Sequence, residues 1–310
     1  FSILPFIEYE YGVWHPKGGC NQLIEAMANV FTELGGLIHV DDPVEGIEFD
    51  GRRATGVRSR TGVHRYDEVV INADATWALK NLIPTGLRRK WSDPKVDSKK
   101  YSCSTFMLYL GIEGEIDLPH HTIYTSETYR ENLDDIGGGR LTQDASTYLH
   151  NPSAIDPSLA PEGCSSLYVL VPTPNDRADI DWDVEGPKLR TATLEKLETV
   201  FGIEGIGSRI RAEKMVTPAD WSNERINHGA TFNLAHGLDQ MLHRRPQHKL
   251  EEVDGVWLVG GGTHPGSGLP VIFLSSQITA GLLCERHGLS TPHAWQPLAE
   301  AIGAGEPSSS

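Results

Sequence analysis

The strongest constraint in this sequence is a glycine-rich segment near its carboxyl end, running from Val259 to Pro270 as VGGGTHPGSGLP. A short apolar run, VWLV, precedes the segment, and an apolar stretch with a helical pattern follows it. This order predicts a strand, a loop whose glycines let the backbone approach a ligand, and a helix whose amino-terminal amides face that ligand. Pro270 suits the first turn of such a helix, and Gly288 suits its end.

The glycine loop is a poor match for a dinucleotide pyrophosphate site. Gly260, Gly262 and Gly266 form only a loose GxGxxxG, which is a weak motif on its own. A dinucleotide unit also needs a second parallel strand after the helix, ending in an acidic residue for the ribose. No strand-like run follows Gly288. We therefore expect the helix to face the pyrimidine edge of a flavin; the alternative is a loop that only lets the helix pack on a sheet.

Composition and charge exclude several classes of function. The 310 residues carry 42 acidic and 27 basic side chains, a net charge of −15 at pH 7. This balance argues against nucleic-acid binding and against electrostatic docking on anionic lipid. No apolar run reaches the roughly 18 to 20 residues that span a bilayer. The four cysteines are scattered and predict neither a disulfide framework nor a zinc site. We expect a cytoplasmic protein that touches a membrane peripherally, if at all.

An amphipathic helix is predicted directly after Gly19. Its sequence, CNQLIEAMANVFTELGG, ends in a glycine pair that suits a helix terminus. Four apolar residues at helical spacing share one face: Leu23, Met27, Val30 and Leu34.

Most of the remaining chain has the pattern of short strands. Asp-Gly at 50–51 and Thr-Gly at 61–62 predict hairpin turns, and a buried strand is expected over 68–71. Runs such as CSTFMLYLGI and SSLYVLVPTP are rich in β-branched and aromatic residues, so they predict an antiparallel sheet in a second domain. A helix over 186–200 and an apolar run over 230–242 follow.

Five segments of the chain carry a family resemblance. They are YGVWHPKGG with the helix behind it, DPVEGIEFDGRRATGVRSRTG, VVINADA, DPSLAPEG with LYVLVP, and LVGGGTHPGSGLP with its helix. In order and spacing these segments resemble the carotenoid desaturases of the bacterial phytoene desaturase type, within the FAD-dependent amine oxidase-like superfamily. The resemblance runs from about residue 8 to about residue 288. Its most specific motif is GTHPGxGxP after a strand.

The resemblance implies a mixed α/β (α+β) fold, in which a Rossmann-like FAD/NAD(P)-binding domain accompanies an antiparallel-sheet substrate domain. Residues 1–17 would then end a substrate-domain segment and hinge, 18–90 and 246–290 would belong to the FAD domain, 91–245 would bind substrate, and 291–310 would form a disordered tail. The GxGxxG that binds pyrophosphate in the family does not occur in the first hundred residues. We therefore expect that an amino-terminal region is missing, and that this chain alone binds FAD weakly and is inactive.

The resemblance also implies which residues bind the cofactor. Val44 would touch adenine through its main chain, while Asn72 and Ala73 would lie near the ADP half. The positions expected against the ribityl chain and the isoalloxazine are Gly260, Gly261, Gly262, Thr263, Gly266, Gly268, Leu269 and Pro270. Many superfamily members place an acidic residue after the late glycine pair. Its replacement here by Gly262 and Thr263 is shared by desaturases and favours them over amine oxidases.

The implied activity is the desaturation of a carotenoid precursor such as phytoene by hydride transfer to the flavin. Such an oxidoreductase would hold a long apolar polyene in an apolar tunnel that excludes water. The runs FMLYLGI, LYVLV and GLPVIFL are candidate linings, and ordinary core is the alternative for each. The enzyme would act peripherally at a membrane, because its substrate dissolves only in lipid.

His264 is the candidate catalytic residue, since an imidazole beside a flavin can assist proton removal. The alternative is that His264 and Pro265 only shape the loop. Phe232, Asn233 and His236 are expected on the substrate side or in support of the site, because they precede the flavin strand.

Other interpretations stay open at this point. A carotenoid cis-trans isomerase or a retinol saturase-like flavoprotein would use the same fold, and a truncated paralogue without catalysis is a further alternative. His120 and His121 resemble a metal-binding pair, but no carboxylate or cysteine lies at ligand spacing from them. The sequence therefore predicts no metal site.

Overall fold

The structure is a computed structural model that describes residues 3–290; the tail predicted at 291–310 lies outside the described residues. The strands are β1 (Val44–Asp50), β2 (Arg53–Ser59), β3 (Gly62–Arg65), β4 (Val69–Ile71), β5 (Ser104–Glu113), β6 (His121–Tyr124), β7 (Thr147–His150), β8 (Cys164–Thr173), β9 (Ile210–Val216) and β10 (Val256–Leu258). The helices are α1 (Ile3–Tyr11), α2 (Cys20–Glu33), α3 (Ala75–Leu82), α4 (Asp93–Asp97), α5 (Tyr129–Gly137), α6 (Trp182–Thr199), α7 (Ile206–Arg209), α8 (Pro218–Asn223) and α9 (Leu269–Arg286).

The described chain divides into two compact units. One, here called the sheet unit, contains residues 3–45, 59–62 and 98–235. The other, here called the loop unit, contains residues 46–58, 63–97 and 236–290. Each unit is therefore assembled from segments that are distant in sequence.

The sheet unit is built on five antiparallel strands in the order β6-β7-β8-β5-β9. Alternate side chains of a strand point to opposite faces, so each strand gives every second residue to the core. The core residues that β5, β7 and β8 share are Phe106, Leu108, Leu110, Ile112, Leu149, Leu167, Val169 and Val171. Leu197 of α6 is fully buried in the same cluster. The predicted antiparallel sheet is confirmed.

The opposite face of this sheet carries aromatic rings, and we call Tyr109, Tyr148 and Tyr168 its aromatic face. The centroid of the Tyr168 ring lies 5.4 Å from that of Tyr109 and 6.0 Å from that of Tyr148, both in edge-to-face contact. Edge-to-face pairs of this kind are favourable for aromatic quadrupoles. Burial, together with the two neighbouring phenols, raises the pKa of Tyr168 to about 12, so the surface is uncharged at neutral pH.

The loop unit contains a parallel pair of strands and a small three-stranded sheet. β4 and β10 run parallel, with Val69 opposite Val256 and Ile71 opposite Leu258. All of β10 is buried. The buried strand predicted over 68–71 forms, but only Ile71 is buried in it, because alternate residues point to opposite faces and only one face is covered.

The predicted hairpins are confirmed in the order β1-β2-β3. Gly51 takes the left-handed conformation between β1 and β2, with a φ of 57°. Thr61 lies between β2 and β3, and Gly62 is the first residue of β3. The residues of the two turns therefore determine where these strands end and begin, as the sequence predicted.

The predicted helices form with two differences. α2 has its predicted bounds and is followed by Gly35 with a φ of 90°, yet none of its residues is buried, and Val30 on its apolar face is 54% exposed. α6 begins at Trp182, before the expected residue 186, because the Asp181 side chain accepts a hydrogen bond from the Asp183 amide and caps the helix earlier. Among residues 3–290, no helix combines the length and apolarity that crossing a membrane requires.

Ion pairs join the end of α9 to the starts of β4 and β10. Arg286 donates to Glu68 at 2.7 Å and to Asp254 at 3.0 Å, and Arg53 donates to Asp254 at 2.6 Å. These hydrogen bonds hold the pKa of Asp254 well below its usual range. Burial alone would raise the pKa of Glu68, but hydrogen bonds from Trp257 and Arg286 outweigh it and leave that pKa lowered.

We expect Asp254→Asn to remove part of the acid sensitivity of the protein. Because the folded-state pKa of Asp254 is lowered, its stabilisation is fully present above the unfolded pKa of about 3.9 and is lost as the pH falls towards the folded value. Urea unfolding between pH 7 and pH 2 should show a shallower decline in the free energy of unfolding for D254N. Asp50→Asn, which removes an exposed carboxylate but keeps a good turn pair, is the matched control. Profiles of equal slope for D254N and the unmodified protein would contradict the expectation.

Candidate functional site

The glycine-rich segment lies where two parallel strands end. Because β4 and β10 run in the same direction, Asn72 and Ala73 after β4 and Gly260 after β10 meet at one edge of the pair. The Val259 amide donates to the Ile71 carbonyl at 3.0 Å and extends the pairing up to the loop. Ligands of α/β sheets bind outside the carboxyl ends of parallel strands. The fold therefore brings together two sequence-predicted parts of the site.

Close packing requires glycine at several loop positions. A Cβ at Gly262 would lie 2.8 Å from the Cβ of Ala75 and 3.0 Å from its amide nitrogen. A Cβ at Gly266 would lie 2.9 Å from Nε2 of His236, and one at Gly260 would lie 2.9 Å from Oδ1 of Asn72. These glycines thus let the loop lie directly against α3, His236 and Asn72. This structural role does not depend on a ligand.

A buried arginine holds the loop from inside. Arg245 is fully buried, and its guanidinium donates to the carbonyls of Thr263 at 3.0 Å and Gly261 at 2.7 Å. Burial lowers the pKa of Arg245 to about 10, while the carboxylate of Asp74 raises it, so the group remains a cation at neutral pH. The carbonyls of Gly261 and Thr263 therefore point towards the positive charge of Arg245.

Hydroxyl groups link the loop to α9. Thr263 Oγ1 donates to the Gly260 carbonyl at 2.7 Å and lies 3.0 Å from Oγ of Ser275. The Ser275 hydroxyl also accepts the Gly260 amide at 3.1 Å. Ser275 and Thr279 are the buried residues of α9, whereas Leu274 is 45% exposed. The Thr263 hydroxyl is thus engaged inside the loop, and its predicted contact with a cofactor stays a prediction.

His264 presents an unsatisfied nitrogen at the loop. Its amide donates to the Pro246 carbonyl at 2.9 Å, but its Nδ1 atom is buried and makes no hydrogen bond. The ring lies 6.0 Å from that of His248, whose own Nδ1 pairs with the Thr279 hydroxyl at 2.9 Å. Burial and then the proximity of His264 lower the pKa of His248. A buried polar atom without a partner is costly, so Nδ1 of His264 suits a ligand with a polar edge.

His236 also contacts the loop. Its Nε2 accepts the Ser267 amide at 3.2 Å, and burial followed by the charge of Arg245 lowers its pKa, which keeps the ring neutral. Phe232 and Asn233 belong to the sheet unit, as does Val44, the half-buried first residue of β1. Their expected roles stay predictions.

The exposed part of the site consists of backbone that follows each strand. The sequence-predicted positions that remain exposed are Asn72, Ala73, Gly268, Leu269 and Pro270. Gly268 precedes α9 with a φ of 111°, a conformation that favours glycine. A ligand can therefore reach the first turn of α9 and the residues after β4.

Sequence reasoning missed Arg245 and Ser275. Arg245 lies in the polar run HRRPQHK, which has the pattern of a solvated surface. Ser275 lies inside an apolar helix pattern, in which nothing distinguishes this serine from Ser276 beside it. The one local signal is Pro246, which fixes the backbone beside the arginine and predicts a turn.

A glycine loop at the ends of paired parallel strands, followed by a long helix and accompanied by an antiparallel sheet unit, is typical of two-domain proteins that bind a nucleotide cofactor. The family assignment is narrower. The profile of the family described as flavin containing amine oxidoreductase matches residues 1–283. The chain belongs to this family. The predicted superfamily and the mixed α/β fold are confirmed, and FAD is supported as the cofactor through the flavin of the family.

Individual relatives add detail. The chain is 44% identical to 4,4'-diapophytoene desaturase (4,4'-diapolycopene-forming) of Methylomonas sp., over 93% of this chain and 57% of that protein. It is 38% identical to phytoene desaturase (lycopene-forming) of Pseudescherichia vulneris, over 92% of this chain and 59% of that protein. The crystal structure of an oxidoreductase from Methanosarcina mazei has the same fold, with a TM-score of 0.56 at 16% identity, over 88% of this chain and 57% of that one. The chain thus spans a little more than half the length of these proteins, and the predicted resemblance to carotenoid desaturases is confirmed.

We expect Arg245→Lys to destabilise the loop unit. An ammonium group cannot reproduce the fork that serves two carbonyls, so at least one buried carbonyl loses its donor, at a cost of about 1–3 kcal/mol. Urea unfolding measures this loss. Arg244→Lys changes the neighbouring, exposed arginine and should stay within about 0.5 kcal/mol of the unmodified protein. Equal stabilities of R245K and R244K would show that the guanidinium does not hold the loop.

Proposed function

We propose that this chain forms part of an FAD-dependent carotenoid desaturase, an oxidoreductase whose substrate is a long apolar polyene such as phytoene. The observation that carries the proposal is the glycine loop at the ends of β4 and β10, in a chain that belongs to a flavin-containing family. The names of its relatives, diapophytoene and phytoene desaturases, support the substrate class. In this proposal the loop unit binds the flavin end of FAD, and the sheet unit binds the polyene.

The residues of the loop unit fit the pyrimidine edge of a flavin. That edge is polar and gains negative charge on reduction. The first amides of α9 have no acceptor within the helix. The helix dipole and the Arg245 cation both favour negative charge on a ligand at the loop. Bound FAD would supply the acceptor for the hydride that desaturation removes.

His264 is proposed to take the proton that leaves the carbon next to the site of hydride loss. A general base needs a free nitrogen lone pair and shelter from bulk water. Nδ1 of His264 is buried and makes no hydrogen bond, so in the tautomer that carries its proton on Nε2 the Nδ1 lone pair is free to accept a proton. The Pro246 carbonyl fixes the backbone of His264 and thereby limits the positions that the ring can adopt.

The polyene is proposed to lie on the aromatic face of the sheet unit. Of the runs expected to line an apolar tunnel, FMLYLGI and LYVLV give alternate residues such as Leu108 and Val169 to the core. Their other residues include Tyr109 and Tyr168, which stay partly exposed. Flat, uncharged rings offer apolar contact area to a conjugated chain without requiring hydrogen bonds from it. The run GLPVIFL lies in the loop unit, where Phe273 is exposed, and its expected role as a lining stays a prediction.

We also propose that the protein works while attached peripherally to a membrane, because a polyene of this length partitions into lipid. Cosedimentation with liposomes of neutral lipid tests this point separately from catalysis. The isomerase, saturase and non-catalytic alternatives have no specific observation in their favour, and the reported relatives are named as desaturases.

The proposed function is tested by anaerobic reconstitution. The complete gene product that carries this sequence is loaded with FAD and mixed with liposomes containing phytoene. We expect the flavin absorption to bleach and the absorption of a longer polyene to appear. A protein that binds no flavin, or a flavin that does not bleach with phytoene, would overturn the proposal.

His264→Gln tests the base. Because general-base catalysis contributes roughly 100- to 10,000-fold, we expect the initial rate to fall by a factor in that range while the flavin spectrum is retained. His243→Gln alters an exposed histidine of the same unit and should leave the rate unchanged. An undiminished rate in H264Q would assign His264 to loop shape alone.

A further inference from the structure

Three histidines of the sheet unit converge at one point. His15, His120 and His150 each offer a ring nitrogen, and these nitrogens all lie within 4.8 Å of one another. His15 lies in the segment between α1 and α2, His120 lies directly before β6, and His150 ends β7. Pairing of β6 with β7 brings the latter two together. The site is distinct from the glycine loop but borders the aromatic face, since the His150 ring lies 6.0 Å from that of Tyr168. Metal binding at this site does not require the proposed function.

The contacts among the rings are close but incomplete. Nε2 of His120 lies 2.9 Å from Nε2 of His150, and the His15 ring meets that of His120 edge-on at 5.2 Å. Nε2 of His15 is buried and has no hydrogen-bond partner. Each of the three side chains is partly buried. One nitrogen is thus without a partner at the point where two others already meet.

A fourth ring adjoins the three. His121 is stacked on His150, with 4.9 Å between the ring centroids. Imidazole nitrogens are common ligands of transition metals, and they bind in their neutral form.

A carboxylate lies near the unpartnered nitrogen of His15. Oδ2 of Asp156 is 3.7 Å from Nε2 of His15, too far for a hydrogen bond, and accepts the Gly18 amide at 2.6 Å. A carboxylate this close to the three rings favours a cation among them through its charge.

We propose that His15, His120 and His150 bind one divalent transition-metal ion of the zinc class. Three imidazoles with an open fourth position are an established zinc set, at Zn–N distances of about 2.0–2.1 Å. Tetrahedral geometry then places the nitrogens roughly 3.3 Å apart, which lies between the shortest separation of 2.9 Å and the limit of 4.8 Å. Small side-chain rotations therefore suffice. The ion would join the segment before α2 to the edge of the five-stranded sheet.

Zinc binding to the unmodified protein is the primary test. The complete gene product, without a histidine tag, is stripped with a chelator and equilibrated with Zn²⁺, and the bound metal is measured by elemental analysis. We expect one ion per chain, a rise in the midpoint of thermal unfolding with Zn²⁺ concentration, and visible ligand-field bands when Co²⁺ is used instead. Less than about one tenth of an ion per chain at saturating metal would overturn the proposal whatever the variants do.

Variants then locate the ion. His120→Gln and His150→Gln should each weaken Zn²⁺ binding at least about tenfold, because each removes one of three ligands. His243→Gln alters an exposed histidine of the loop unit and should bind as the unmodified protein does. Far-UV circular dichroism checks that each variant folds. Unchanged binding in both H120Q and H150Q would overturn the proposed site, because the metal would then lie elsewhere.

Discussion

The parallel pairing of β4 with β10 is the constraint on which the loop unit depends. It joins two segments that are distant in sequence and places both strand ends at one edge. Parallel pairs cannot be closed by a tight turn and need a long crossover. The intervening chain makes the whole five-stranded sheet before it returns. The glycine loop is one continuous segment of the sequence, but its position depends on contacts between residues that are far apart in the chain.

Burial of Arg245 gives the loop its electrostatic character. A guanidinium removed from water is costly unless hydrogen bonds compensate it, and here the loop carbonyls of Gly261 and Thr263 do so. The same bonds fix the orientation of those peptide groups. Arg245 therefore both fixes the conformation of the loop and provides the positive charge that favours an anion there.

Local sequence signals predicted the helices, strands and turns. Which faces of these elements are buried depends on long-range contacts, and the sequence patterns did not predict it. The Asp-Gly turn at 50–51, the alternation in β5 and β8, and Pro270 with Gly288 around α9 were each sufficient, because their physics lies within a few residues. The apolar face of α2 predicted a helix correctly, but periodicity says nothing about what covers that face. The sequence of β4 likewise predicted a buried strand but did not show that only one of its faces is covered, which leaves Ile71 as its only buried residue.

The candidate site was also predicted only in part from the sequence. Glycine spacing identified the loop, and the order of segments identified its family. Arg245, Ser275 and the meeting of His15 with His120 and His150 have no short-range signature, because residues far apart in sequence form each arrangement. The inner surface of α9 has a further consequence for the tolerance of this helix to substitution. Since Ser275 and Thr279 are the buried residues of α9, while Phe273 and Leu274 are exposed, the exposed side chains can change in size without disturbing the hydroxyl contacts that hold the helix against the loop.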